Sequence, residues 1–113
     1  MRDKTNNLVW LTDIVESIDL IESYIANVTE EEFFNSEEKQ DAIVRRLGII
    51  GEAVKNITED YKNAHSEVPW KEAAGMRNIL VHEYFDIDLN ITWGVLKYHL
   101  PELKKAILSL VAK

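Results

Sequence analysis

Arg77-Asn78-Ile79-Leu80-Val81-His82-Glu83-Tyr84 places a guanidinium, an imidazole and a phenol within about two helical turns. The chain has no cysteine and only three histidines, so few other side chains could do chemistry at neutral pH. A guanidinium is permanently charged and can grip two oxygens of an anion, and an imidazole titrates near pH 6.5. Together they are minimum equipment for work on a phosphodiester. The flanking residues are mostly helix formers, and these polar groups interrupt an otherwise apolar segment.

On a straight helix, at about 100° per residue, Arg77 and Tyr84 fall nearly over one another, and Asn78 and His82 form a second adjacent pair. Arg77 and His82 are then about 140° apart, too wide for both to point squarely at one small group. Either the helix frays near His82, or a second chain completes the group across a two-fold axis. The reaction these groups suit is RNA cleavage by its own 2′-hydroxyl. It needs a base for that hydroxyl, an acid for the departing 5′-oxygen, and positive charge at phosphorus. His82 suits acid or base work, Arg77 can bridge two phosphoryl oxygens, and Asn78 can orient His82 or hold a phosphate oxygen. No metal is needed for this chemistry, and no carboxylate cluster suggests one. Plainer readings compete: His82 as a helix-end cap, Arg77 paired with Glu83 or Asp86, Tyr84 as core with its hydroxyl tied to a neighbour. His65 and His99 read as structural or exposed, and Glu52 as a hydrogen-bonding group between helices.

The scaffold for these residues is 113 residues long, the size of one domain spanning 1–113. Without cysteine there is no disulfide framework, thiolate nucleophile or thiolate zinc site. Met1-Arg2-Asp3-Lys4 leads into an amphipathic pattern rather than a signal core, and no apolar run approaches the ~18 to 20 residues of a membrane span. A cytoplasmic location with no membrane partner is the expectation. The net charge of −7 argues against a general nucleic-acid binder. It is unevenly spread: residues 1–76 carry 8 Lys and Arg against 16 Asp and Glu, whereas residues 77–113 carry 5 against 4. The motif lies in the half least repulsive to phosphate.

Helical periodicity covers almost everything. Leu11, Ile14, Ile18, Ile21 and Ile25 form a heptad seam on a first helix from about Asn6 to Asn27. Thr29-Glu30-Glu31-Glu32 reads as a capping box opening a short turn through Phe33-Phe34. A second helix begins after Ser36, with Glu37 and Glu38 in its first turn and a seam through Ile43, Leu47, Ile50, Val54, Ile57 and Tyr61. Gly48 and Gly51 cost a helix about 1 kcal/mol each and suggest close approach of a neighbour. Pro69 suits the first turn of a third helix, about Trp70 to Tyr84, which carries the motif. Phe85-Asp86-Ile87-Asp88 is a short connection, with Asp88 placed to cap the fourth helix. Pro101 should kink or split that helix, and Leu103, Ile107 and Leu110 resume the seam beyond it. Trp10, Trp70 and Trp93 fall in apolar patterns and read as core anchors. Long seams and short connections imply an all-α fold, an antiparallel four- to five-helix bundle with a kinked C-terminal helix.

The chain also resembles the HEPN-domain family, in particular its HepT-like toxin subset. The signature there is Arg, four residues, His, one residue, Tyr, matched here by Arg77, His82 and Tyr84, with the Arg77-Asn78 start intact. Gly51-Glu52-Ala53, Val68-Pro69-Trp70, Gly75-Met76 and Leu100-Pro101-Glu102-Leu103 extend the match along nearly the whole chain. The resemblance implies a helical homodimer whose motif helices face each other across a cleft, and a metal-independent endoribonuclease acting as the toxin of a toxin–antitoxin pair. It further implies a minimal nucleotidyltransferase-fold antitoxin that transfers AMP onto Tyr84, with Arg77 and His82 catalytic, Asn78 supporting and no resident cofactor. The same family includes non-catalytic members that bind nucleotide or assemble with a nucleotidyltransferase. The acidic body of this chain suits that alternative, whereas the intact Arg77 and His82 spacing suits the nuclease.

Overall fold

The computed structural model describes residues 6–82 and 89–111, and of residues 77–82 it describes the backbone alone. Among the described residues every regular element is helical. The elements are α1 (Asn7–Ile25), α2 (Glu30–Phe34), α3 (Glu37–Asn56), α4 (Glu59–Ala64), α5 (Trp70–His82), α6 (Leu89–Gly94), a π turn (Val95–His99) and α7 (Leu100–Val111). The fold is an all-α bundle, as the seams require.

Side chains fix where these helices begin. Asn6 caps α1, its side-chain Oδ1 accepting the Leu8 N–H at 2.9 Å. After Asn27, which takes the left-handed conformation at φ 61°, the capping box at Thr29 forms as read. The Glu32 N–H donates to Thr29 Oγ1 at 3.1 Å, and the Thr29 N–H donates to Glu32 Oε1 at 3.0 Å. That backbone N–H, then the Thr29 hydroxyl, holds the Glu32 carboxyl below its usual range. Ser36 caps α3, and Gln40 Nε2 donates to the carbonyls of Phe33 and Phe34, both at 3.0 Å, tying α2 onto α3.

The two long seams meet as the core. Leu11, Ile14, Ile18, Ile21 and Ile25 of α1 are buried, as are Ile43, Leu47, Ile50 and Val54 of α3. α3 packs against α1 on one side and α5 on the other, with Gly51 buried. One expectation changes here. Ile57 and Tyr61 continue the α3 seam in sequence, but the helix ends at Asn56. Thr58 turns the chain instead: its hydroxyl accepts the Tyr61 N–H at 3.3 Å, opening α4. Asn7 completes the stop, accepting the Thr58 N–H at 3.1 Å and donating to its hydroxyl at 3.2 Å. Polar groups that would compete with a continuing helix are thereby satisfied across the fold. Ile57 is still buried and Tyr61 half-buried, so the seam survives a change of helix. This clasp also sets the start of α1 against the end of α3, making the pair antiparallel.

Pro101 acts differently from a simple break. Proline lacks an N–H and crowds the carbonyl four residues earlier, here that of Lys97. The chain answers by widening one turn: the Leu100 N–H donates to the carbonyl of Val95, five residues back, across the π turn. Helix therefore runs on from α6 into α7, and Leu96, Leu100, Leu103, Ile107 and Leu110 lie buried along it. Trp93 packs on Phe33 at a tilt of 32° with ring centroids 5.3 Å apart; Trp70 belongs to the core, and Trp10 and Trp93 pack against it.

α7 is fastened to α1 by Lys104, whose ammonium lies 2.7 Å from Asp19 Oδ1 and 2.8 Å from Glu22 Oε1. Contact between the first turns of α7 and the later turns of α1 makes this pair antiparallel too. The hydrogen bond to Asp19, then that to Glu22, raises the Lys104 pKa from its ordinary 10.5 to about 12. A raised lysine pKa stabilises the fold fully below the unfolded value and loses that contribution as pH climbs through the folded one. Replacing Lys104 with Met should lower stability by about 1 kcal/mol, the order expected of a partly exposed ion-pair network. Denaturant melts between pH 9 and pH 12 check this, because the two proteins should converge across the window from 10.5 to about 12.

Candidate functional site

The motif is carried by α5, and the start of that helix is firmly built. Pro69 precedes it and accepts the Ala73 N–H at 3.0 Å, the first helical bond, so the missing proline N–H costs nothing here. Trp70 is buried, and its indole N–H donates to the His65 carbonyl at 2.9 Å. The His65 ring packs on Tyr61 at a tilt of 40° with centroids 4.4 Å apart, and its Nδ1 lies 3.6 Å from Glu67 Oε1. Tyr61 meets Trp70 edge-on at 6.4 Å. Burial, then the Glu67 carboxylate, raises the Tyr61 pKa. His65 is thus a structural latch on α5, in line with its sequence reading. Ala73 and Met76 are buried with Trp70, so spacing of three points one face of α5 inward.

Arg77, Asn78 and His82 all belong to α5, whose backbone is helical through His82. Their five-residue span therefore separates the Arg77 and His82 Cα atoms by about 7.5 Å along the axis and about 140° around it. The positions of the Arg77, Asn78 and His82 side chains lie outside the described residues. So do Tyr84, the connection Phe85-Asp86-Ile87-Asp88 and the Asp88 cap. Glu52 sits on the outer surface of α3. No group of three or more His, Cys, Asp or Glu side chains suited to a metal ion occurs among the described residues. No described helix is long and apolar enough to cross a membrane.

One feature beside the motif was not legible in the sequence. A cavity of about 260 Å³ opens between the first half of α5 and the π turn, lined by Glu72, Gly75, Met76, Val95 and His99. Gly75 and Met76 immediately precede Arg77, so this concavity abuts the motif on its own helix. The only hint in the sequence was a glycine in mid-helix, where alanine would be about 1 kcal/mol better. His99, read as structural or exposed, is exposed at the rim.

A family model for the ribonuclease HepT-like family matches residues 14–110. Among relatives, the "Gamma-glutamylcyclotransferase and putative RNase" of Methanocaldococcus jannaschii is 47% identical over 103 residues, covering 91% of this chain and 46% of that protein. This chain thus spans about half of that relative. The "Probable ribonuclease HepT" of Thermococcus cleftensis is 43% identical over 101 residues, covering 89% of this chain and 92% of that protein. No solved structure gives a significant match. An all-α bundle that carries Arg77, Asn78 and His82 on one helix, inside a match that runs from the middle of α1 to the end of α7, belongs to the HepT-like ribonuclease family.

Proposed function

We propose that this protein is a metal-independent endoribonuclease, built as one domain over residues 1–113 and active as a homodimer. The observation that carries the reading is the family match over residues 14–110, which encloses an uninterrupted Arg77-x4-His82 on a helical backbone. His82 serves as acid or base, Arg77 binds two phosphoryl oxygens as charge builds at phosphorus, and Asn78 orients the histidine or the phosphate. In the first half of the reaction the base removes the 2′-hydroxyl proton and O2′ attacks phosphorus. The bond to the 5′-oxygen then breaks as the acid protonates it, leaving a 2′,3′-cyclic phosphate and a 5′-hydroxyl.

The 140° between Arg77 and His82 favours a composite cleft, with two motif helices facing across a two-fold axis. Two copies of His82 then divide the acid and base roles. Sedimentation at micromolar concentration should give about twice the chain mass of 13.1 kDa; a clean monomer would remove the composite site.

The wider role proposed is that of a cytoplasmic toxin held in check by a minimal nucleotidyltransferase-fold antitoxin that adenylylates Tyr84. Expression of this chain alone should arrest growth and fragment cellular RNA, and co-expression of the transferase should relieve both. Normal growth with intact RNA would favour the non-catalytic nucleotide-binding or assembly role instead.

A further inference from the structure

We propose that the cavity between α5 and the π turn is a nucleobase subsite that selects guanine next to the scissile phosphate. The inference rests on the ribonuclease reading for its placement and on the cavity itself for its chemistry.

Size comes first. Sites for whole drug-sized ligands start at roughly 300 Å³, so a cavity of about 260 Å³ suits one flat base better than a complete nucleotide. Its walls suit a base as well. Gly75, Met76 and Val95 are apolar, and the Met76 thioether is a favourable neighbour for an aromatic ring. A Cβ built at Gly75 meets nothing within 4 Å, so the glycine borders open space instead of making room for a neighbouring helix.

Charge decides which part of a nucleotide enters. Among the described residues of the lining, Glu72 is the one anionic group, and it is exposed. A carboxylate repels phosphate, but it accepts N–H groups from a base edge. Guanine offers N1–H and N2–H side by side to one carboxylate, and its O6 accepts an N–H from an imidazole such as His99. Uracil has one such N–H and cannot make the paired contact. Tyr98 is 73% exposed beside His99, and Lys97 lies 5.3 Å from the Trp93 ring centre on the same turn. An exposed aromatic next to a cation is the usual platform for a neighbouring base of a single strand.

The test uses the chain of residues 1–113 and fluorescent 2′-deoxy oligonucleotides, which bind without being cut, carrying guanine, hypoxanthine, adenine, cytosine or uracil at one position. Wild type should bind the guanine oligonucleotide about tenfold tighter than the uracil one, the discrimination of a single paired contact. Hypoxanthine, which lacks the N2 amino group, should fall between them. Glu72→Gln should bring guanine and uracil within about twofold of each other while the protein still binds both, because an amide accepts at only one of its two atoms. Gly75→Leu fills the cavity and should weaken guanine binding about tenfold. Gly75→Ala, with its Cβ in open space, should bind as wild type and melt no lower. No guanine preference in wild type, or a preference untouched by Glu72→Gln and Gly75→Leu, overturns the subsite. So does a change in sedimenting mass in Gly75→Leu, which makes a second copy of the chain the occupant. A guanine preference in a protein that cuts no RNA would keep the subsite and sink the nuclease reading, and active cleavage without the preference would do the reverse.

Discussion

His82→Ala is expected to lower RNA cleavage by about 10²- to 10⁴-fold, the contribution of a positioned general acid or base. The fold should barely notice. His82 lies at the far end of the described part of α5, and the buried anchors of that helix, Trp70, Ala73 and Met76, lie nearer its start. A change away from such anchors costs within about 1 kcal/mol. Arg77→Ala should lose about 10²- to 10³-fold through the charge it places on the transition state. Arg77→Lys should restore only part, because a point charge cannot make two parallel hydrogen bonds to one phosphoryl group. Rates on one RNA substrate, with thermal melts of each variant alongside, check all three. A His82→Ala protein as active as wild type would return His82 to the role of helix cap.

The second large effect is expected at Tyr84. Incubation with the proposed nucleotidyltransferase antitoxin and ATP should add one AMP to the wild-type chain and silence it. The new phosphodiester is anionic and its adenosine bulky, so substrate phosphate is opposed by charge and volume together. Tyr84→Phe keeps the ring and removes the acceptor oxygen, and it should remain unmodified and active in the same mixture. Intact mass before and after incubation reads the outcome directly. If the Phe variant gains AMP as fast as wild type, modification lies elsewhere and Tyr84 is a packing residue.

Much of the architecture could be read from local rules. Ser36 and the Thr29 box mark helix starts because a side-chain oxygen three residues from a backbone N–H is a sequence-local fact. The seams of α1 and α3 were equally legible, since burial repeats at the helical period. Where reading failed, the cause was a contact distant along the chain or a subtler backbone response. α3 stops at Asn56 because Asn7 meets Thr58 from 51 residues away, which no periodicity can show. Pro101 announced a disturbance, but the remedy, a single π turn, depends on keeping Leu96 and Leu100 together in the core. Arg77 and His82 stand out in the sequence as polar groups in an apolar run, and the helix that carries them was legible from Pro69 onward. The cavity beside it was not, because Glu72 and His99 are brought to one place by packing between helices.

The central claim, cleavage of RNA by its own 2′-hydroxyl with this chain's groups alone, has one direct measurement. The purified chain is mixed, in EDTA, with an RNA that has one cleavage position and with the same RNA carrying a single 2′-deoxy nucleotide there. The all-RNA strand should be cut to a 2′,3′-cyclic phosphate and a 5′-hydroxyl while the substituted strand stays whole. Cutting of the deoxy position, or no cutting until a divalent metal is restored, would contradict it.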